Sequence, residues 1–202
     1  MRKYSAIALI ELSSIARGIL TADAMVKSAP ISVLKAGTVH KGKYLILIGG
    51  SVASVEEAYT KGLTVGEGHT VDHLILPDIH PQLHDSVLGE KRACDGEAIG
   101  VIETTSIAAN IQSADAGLKA AEVDLVELKI ADSIGGKAFT IFTGKLEEVE
   151  AAVYTAKEKT TDPKFWLQDI IIPNLHQDIA KQIDLNTRFS KLDLQPLDGG
   201  EV

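Results

Sequence analysis

Residues 10–29 read IELSSIARGILTADAMVKSA, and residues 102–121 read IETTSIAANIQSADAGLKAA. Eleven of these twenty aligned positions are identical at a constant offset of 92 in a chain of 202 residues. A period close to half the chain points to two domain-sized copies rather than a solenoid of short repeats. The match continues in order as the offset drifts. Lys41-Gly42-Lys43-Tyr44 corresponds to Gly135-Gly136-Lys137-Ala138, and Pro77-Asp78-Ile79-His80 to Pro173-Asn174-Leu175-His176.

Each copy carries the same succession of hydrophobic periods. Residues 5–12 (SAIALIEL) are apolar over strand length, and Ser13 and Ser14 are N-cap candidates for a helix stopped by Pro30. Residues 31–37 and 43–50 predict a hairpin turning at 38–42. Ser51 opens a second helix ended by the glycines at 62, 66 and 68, residues 70–76 form a fourth strand, and a short helix spans 80–88. The polar stretch 89–97 is a linker. The second copy runs strand 98–105, helix 106–121, strand 123–131, turn 132–136, strand 137–144, helix 145–160, strand 167–172 and short helix 176–184. The order β-α-β-β-α-β plus a short helix is that of a ferredoxin-like α+β sandwich. The expected domains are 1–93 and 94–185, with 186–202 a loose extension.

Bulk properties narrow the function. A net charge of −8, a pI near 5.2 and the lack of a basic stripe argue against a nucleic-acid partner. Apolar runs such as 44–48 fall far short of the roughly 20 residues that span a bilayer, so no membrane partner is expected. A single cysteine, Cys94, and an N-terminus without a signal pattern fit a soluble cytoplasmic protein. No nucleophile elbow, Walker loop or dinucleotide-binding glycine pattern is present.

The segments TADAMVKSA (21–29) and LILIGGSVASVEEA (45–58), with the Pro-x-x-His endings at Pro77/His80 and Pro173/His176, resemble bacterial microcompartment shell proteins. Two such domains in one chain are most similar to the tandem-domain trimers of the propanediol-utilisation type. The resemblance implies a homotrimeric pseudohexamer that tiles with hexameric and pentameric shell proteins around encapsulated enzymes, inside the cytoplasm. Its role is structural, with no catalytic residue and a central pore for metabolite passage.

The resemblance also assigns residues. The turns between the second and third strand of each copy ring the pore, here Val39, His40, Lys41 and Gly42, with Ser133, Ile134, Gly135 and Gly136 from the second copy. Lys27 and Lys119 lie at the tile edge, joined there by Asp78, Asn174, His80 and His176. This chain departs from the family by carrying Asp78 and Asn174 where an arginine is usual. Three copies of Lys41 predict an anion-attracting aperture, opposed by Asp132.

His40 stands where the resembled trimers carry a cysteine that gives three thiolates to an iron–sulfur cluster. Three imidazoles do not readily replace thiolates there, but they suit Zn²⁺ or another borderline metal with an open position. A metal-binding redox or electron-transfer protein using His40 is therefore the alternative function. The plainer reading is a histidine lining a hydrated pore with no cofactor. His69, His73, His80 and His84 complete no ligand motif, and the recurrence of His80 as His176 points to a packing or capping job common to both copies. The recurrence of Glu11 as Glu103 and of Asp23 as Asp115 points to a shared structural role, in bonds to backbone amides or subunit contacts.

Overall fold

The computed structural model describes residues 4–130, 134–160 and 162–194. The first module contains β1 (Ala6–Leu12), α1 (Ile15–Ser28), β2 (Val33–Val39), β3 (Lys43–Gly50), α2 (Val52–Gly66), β4 (Thr70–Leu76) and α3 (Pro81–Val87). The second repeats it as β5 (Ala98–Thr104), α4 (Ile107–Ala120), β6 (Asp124–Ile130), β7 (Ala138–Gly144), α5 (Leu146–Glu158), β8 (Trp166–Pro173) and α6 (Gln177–Leu185). The sheets run β2-β3-β1-β4 and β6-β7-β5-β8, antiparallel throughout. This is the expected pair of ferredoxin-like α+β modules.

The strand β1 is buried along its whole length, which explains its unbroken apolar run. Ala6, Ala8, Ile10 and Leu12 pack with Met25, Val55 and Ala58 beneath the helices. Ile7 and Leu9 belong instead to a cluster with Leu83 and Val87 of α3 and with Ile107, Ile111 and Leu125 of the second module. The modules thus share a core, rather than hanging as separate beads.

Serines start three helices. Ser14 accepts from Arg17 N at 3.3 Å, Ser51 from Ser54 N at 3.3 Å and Ser106 from Ala109 N at 3.1 Å. At Gly62 the structure corrects the expectation of a helix end, since α2 continues to Gly66. A Cβ at 62 would lie 2.6 Å from Ile10 Cδ1 and Met25 Sδ. This glycine therefore lets α2 approach the sheet, a packing demand that overrides its poor helix propensity. The first hairpin turn is also shorter than expected. β2 runs through Thr38 and Val39, leaving His40–Gly42 as a single 3₁₀ turn. Two further 3₁₀ turns, at Pro163–Phe165 and Phe189–Lys191, had no clear signal in the hydrophobic pattern.

Candidate assembly junction and pore turns

A dense buried polar contact lies where the modules meet. Glu11, the charged residue within the apolar run of β1, is fully buried. Its Oε1 accepts from the backbone N–H of Ile107 and, at 2.9 Å, from that of Ala108, the first residues of α4. Ser106 Oγ is 3.0 Å from the same oxygen and also reaches Asp72 Oδ2; with one proton it serves one of the two. Lys43 Nζ donates to Glu11 Oε2 at 3.1 Å. A carboxylate of one module therefore occupies the positive end of the first helix of the other, where orphan N–H groups and the helix dipole both favour an anion.

A second set of bonds lies at the other end of α4. Asp115 accepts from His80 N at 2.9 Å and from Lys119 Nζ at 2.6 Å, and Lys119 also donates to the Asp78 carbonyl. His80 caps α3, its Nδ1 accepting from Gln82 N at 3.3 Å. Burial holds the His80 imidazole below its ordinary pKa, a pull only partly opposed by the nearby Asp115 carboxylate. Gln82 in turn accepts from Leu125 N at 2.8 Å and donates to Asp124 Oδ1 at 3.0 Å, fastening α3 to the edge strand β6.

Every one of these positions has a repeat counterpart, and the counterparts lie apart. Among the described residues, Glu103 makes a 3.7 Å ion pair with half-exposed Lys137, which answers to Lys43. Asp23 and Lys27 form an exposed pair at 2.7 Å. His176 caps α6 through Asp178 N at 3.3 Å but is otherwise open, and Asn174, the counterpart of Asp78, has φ 54°. The apolar residues follow suit. Ile107 and Ile111 are fully buried, while Ile15 and Ile19 are 41% and 56% exposed; Leu83 is fully buried, while Ile179 is 51% exposed. One flank of the chain, α1 and β2, and the opposite flank, β8 and α6, thus carry the two unjoined halves of the junction that the modules make internally.

The pore-assigned turns come together at one place. Gly136 sits where a Cβ would be 3.3 Å from the His40 carbonyl and 3.7 Å from the Lys41 side chain. His40, Lys41, Gly42 and Gly135 are exposed, and Val39 and Ile134 half-buried. Lys41 holds φ 65°, ψ 23°, the left-handed region that its counterpart Gly135 (φ 66°) enters without a side-chain penalty. Ser133 and Asp132 lie outside the described residues. The remaining histidines are dispersed: His73 Nδ1 meets Tyr59 Oη at 2.5 Å, and buried His84 accepts from Tyr4 N at 3.4 Å. Among the described residues, no three His, Cys, Asp or Glu side chains of one chain converge as a metal site, and no helix is long and apolar enough to cross a membrane.

Sequence reading singled out Glu11 without finding its partners. Lys43 was legible, because Lys137 repeats it, but Asp72 and Gln82 have Gln168 and Asp178 as counterparts and left no repeat signal.

Comparison with known proteins agrees with this architecture. The BMC domain family model matches residues 6–79 and again 98–175. The bacterial microcompartment shell protein PduT of Citrobacter freundii is 35% identical over 178 residues, covering 88% of this chain and 97% of that protein. The carboxysome assembly protein CcmO of a Synechocystis strain is 26% identical, covering 91% of this chain and 66% of its own. Among solved structures, a microcompartment protein from Desulfitobacterium hafniense DCB is 39% identical with a TM-score of 0.77, covering 87% of this chain and 98% of that one. A fused permuted hexameric shell protein from the RMM microcompartment shares the fold at 18% identity, with a TM-score of 0.58 over 79% of this chain and 86% of its own. A chain built from two copies of the BMC domain, matched nearly end to end by a shell protein, belongs to the bacterial microcompartment shell proteins.

Proposed function

We propose that the chain closes head to tail into a homotrimeric, pseudohexagonal tile of a microcompartment shell within the cytoplasm, with a pore at its centre. The observation that carries this reading is the divided junction. The contacts around Glu11 and Asp115 join the modules inside one chain, and their counterparts around Glu103 and Asp23 face outward on opposite flanks. A contact between unlike surfaces joins each copy to the next and closes only if the rotation permits. Three chains supply the six modules that the family resemblance implies.

In that ring Glu103 enters the N-terminus of the next copy's α1 at Ser14 and Ile15. The His176 backbone N–H meets Asp23, and Lys27 reaches the Asn174 carbonyl. The role is architectural. Tile edges contact other shell proteins, enzymes lie enclosed, and no residue is assigned to catalysis. Val39, His40, Lys41 and Gly42, with the 133–136 turn, line the opening. Three Lys41 ammonium groups about a narrow axis attract anionic metabolites by focusing the field. His40 lines a hydrated passage and holds no cofactor in this reading.

Light scattering of the purified protein is expected to give three times the 21.5 kDa of one chain, and electron microscopy of concentrated protein to show flat sheets. A monomer at micromolar concentration overturns the tile. A Lys41→Glu shell that admits a carboxylate substrate as fast as wild type overturns the anion preference.

A further inference from the structure

We infer that the segment leaving α6, residues 186–194, crosses to the next copy of the chain and lies along the outer edge of that copy's β2. This rests on the ring above and names one more element of its interface. Inside the chain the equivalent segment does the same thing. After α3, the linker runs beside β6: Lys91 Nζ donates to Glu127 at 2.8 Å, and Arg92 N donates to the Val126 carbonyl at 3.2 Å. β6 and β2 are repeat counterparts and both are sheet edges. An edge strand presents backbone groups that an added segment can pair.

Both partners of the second contact are visible on the chain. The segment leaving α6 carries Phe189 and Leu194, with Phe189 93% exposed, so large apolar groups stand out from their own chain. On the β2 side of the first sheet lie two hollows of roughly 140 and 130 Å³ that share Lys35 and Leu47 and have Ile7, Leu9 and Val87 in their walls. They offer apolar surface within reach of an arm laid on β2. Where β6 has Glu127 facing the linker's Lys91, β2 has exposed Lys35, and the segment beyond α6 carries Arg188 and Lys191 as well as Asp193, so the second contact is apolar rather than ionic. The occupant is therefore this apolar arm of a second copy, the repeat counterpart of the linker.

The test places cysteines at Lys35 and Ser190 in the full chain. Native Cys94 is buried, with its thiol pKa pushed up by desolvation, and does not compete. Mild oxidation is expected to yield covalent species of two and three chains on a non-reducing gel. Removing residues 186–202 is expected to raise the concentration of half-dissociation at least tenfold. A protein that is trimeric by light scattering, yet gives no interchain link and dissociates unchanged after truncation, overturns the arm and leaves the ring standing. A protein already monomeric before oxidation overturns both. Protection of the two cysteines by an unrelated protein in place of crosslinking also overturns the arm.

Discussion

Glu11 and Glu103 occupy the same place in the repeat but different surroundings, so truncating each to alanine separates folding from assembly. In the single chain, Glu11→Ala strands the amides of Ile107 and Ala108 in the core and leaves Lys43 with the Thr105 carbonyl at 3.4 Å. Each stranded amide costs about 1–3 kcal/mol. Removal of one partner from a buried charge pair costs about 3–5 kcal/mol. Water entering the space of the lost side chain offsets part of this, so about 3–4 kcal/mol remains, a large share of the roughly 5–15 kcal/mol that holds a protein folded. Glu103→Ala removes only the 3.7 Å pair with Lys137, both side chains being about half exposed, and exposed pairs are worth about 0–1 kcal/mol. In the dilute monomer it is therefore nearly silent.

In the ring Glu103 takes on the surroundings of Glu11, and a trimer has three such junctions. At about 3 kcal/mol each, the trimer loses roughly 9 kcal/mol, and every 1.4 kcal/mol is a factor of ten in the equilibrium constant. Because that constant scales with the square of concentration, half-dissociation shifts upward by on the order of a thousandfold. Sedimentation equilibrium reads this shift, and urea denaturation of the dilute protein reads the monomer. A Glu103→Ala trimer dissociating within about threefold of wild type, or a Glu11→Ala monomer as stable as Glu103→Ala, refutes the reasoning from repeat to interface.

Three other outcomes are expected. Gly62→Ala forces a Cβ to within 2.6 Å of Ile10 and Met25; overpacking of about 1–3 kcal/mol exceeds the gain of about 1 kcal/mol in helix propensity, so the urea midpoint falls with an unchanged slope. The His80 pKa is lower in the folded chain than in the unfolded one, chiefly through burial, so between the two values the unfolded state binds more protons. Its contribution is complete above the ordinary imidazole pKa and is lost as pH falls toward the folded value; protonation also costs Nδ1 its acceptor role toward Gln82. His80→Asn, which keeps a capping acceptor, should flatten the acid limb of stability measured from pH 7 to 5. Elemental analysis of wild type and His40→Ala should give equal, near-zero metal, whereas bound metal that disappears in His40→Ala replaces the hydrated pore with the metal-binding alternative.

The repeat made the fold legible because each strand and helix is announced twice, and errors in one copy are corrected by the other. It could not reveal which faces meet. Ile15 and Ile107 fall at the same point of the same helical period, yet one is 41% exposed and the other fully buried, because a neighbouring module covers only the second. Periodicity within a segment reports that a face is apolar and says nothing of what lies against it. Gly62 misled for a related reason: a glycine near a helix end is a stop signal locally, and only the position of Ile10 and Met25, far away in sequence, makes it a packing site. The junction residues Asp72 and Gln82 were hidden because the second copy holds different residues there.

Those differences explain what fusing two modules allows that six identical ones do not. A homohexamer must place the same turn six times around its axis, so any bulky or charged residue there is crowded by five copies of itself. Here the two turns have diverged: His40-Lys41 in one is Ile134-Gly135 in the other. Lys41 accepts a left-handed backbone that costs an L-residue about 1–2 kcal/mol, while Gly135 takes the same conformation freely. Gly136 leaves room for the Lys41 side chain beside it. In the proposed ring, charge therefore alternates with open space, three lysines rather than six, and the aperture can change by mutation of one turn while the other preserves the backbone that holds it.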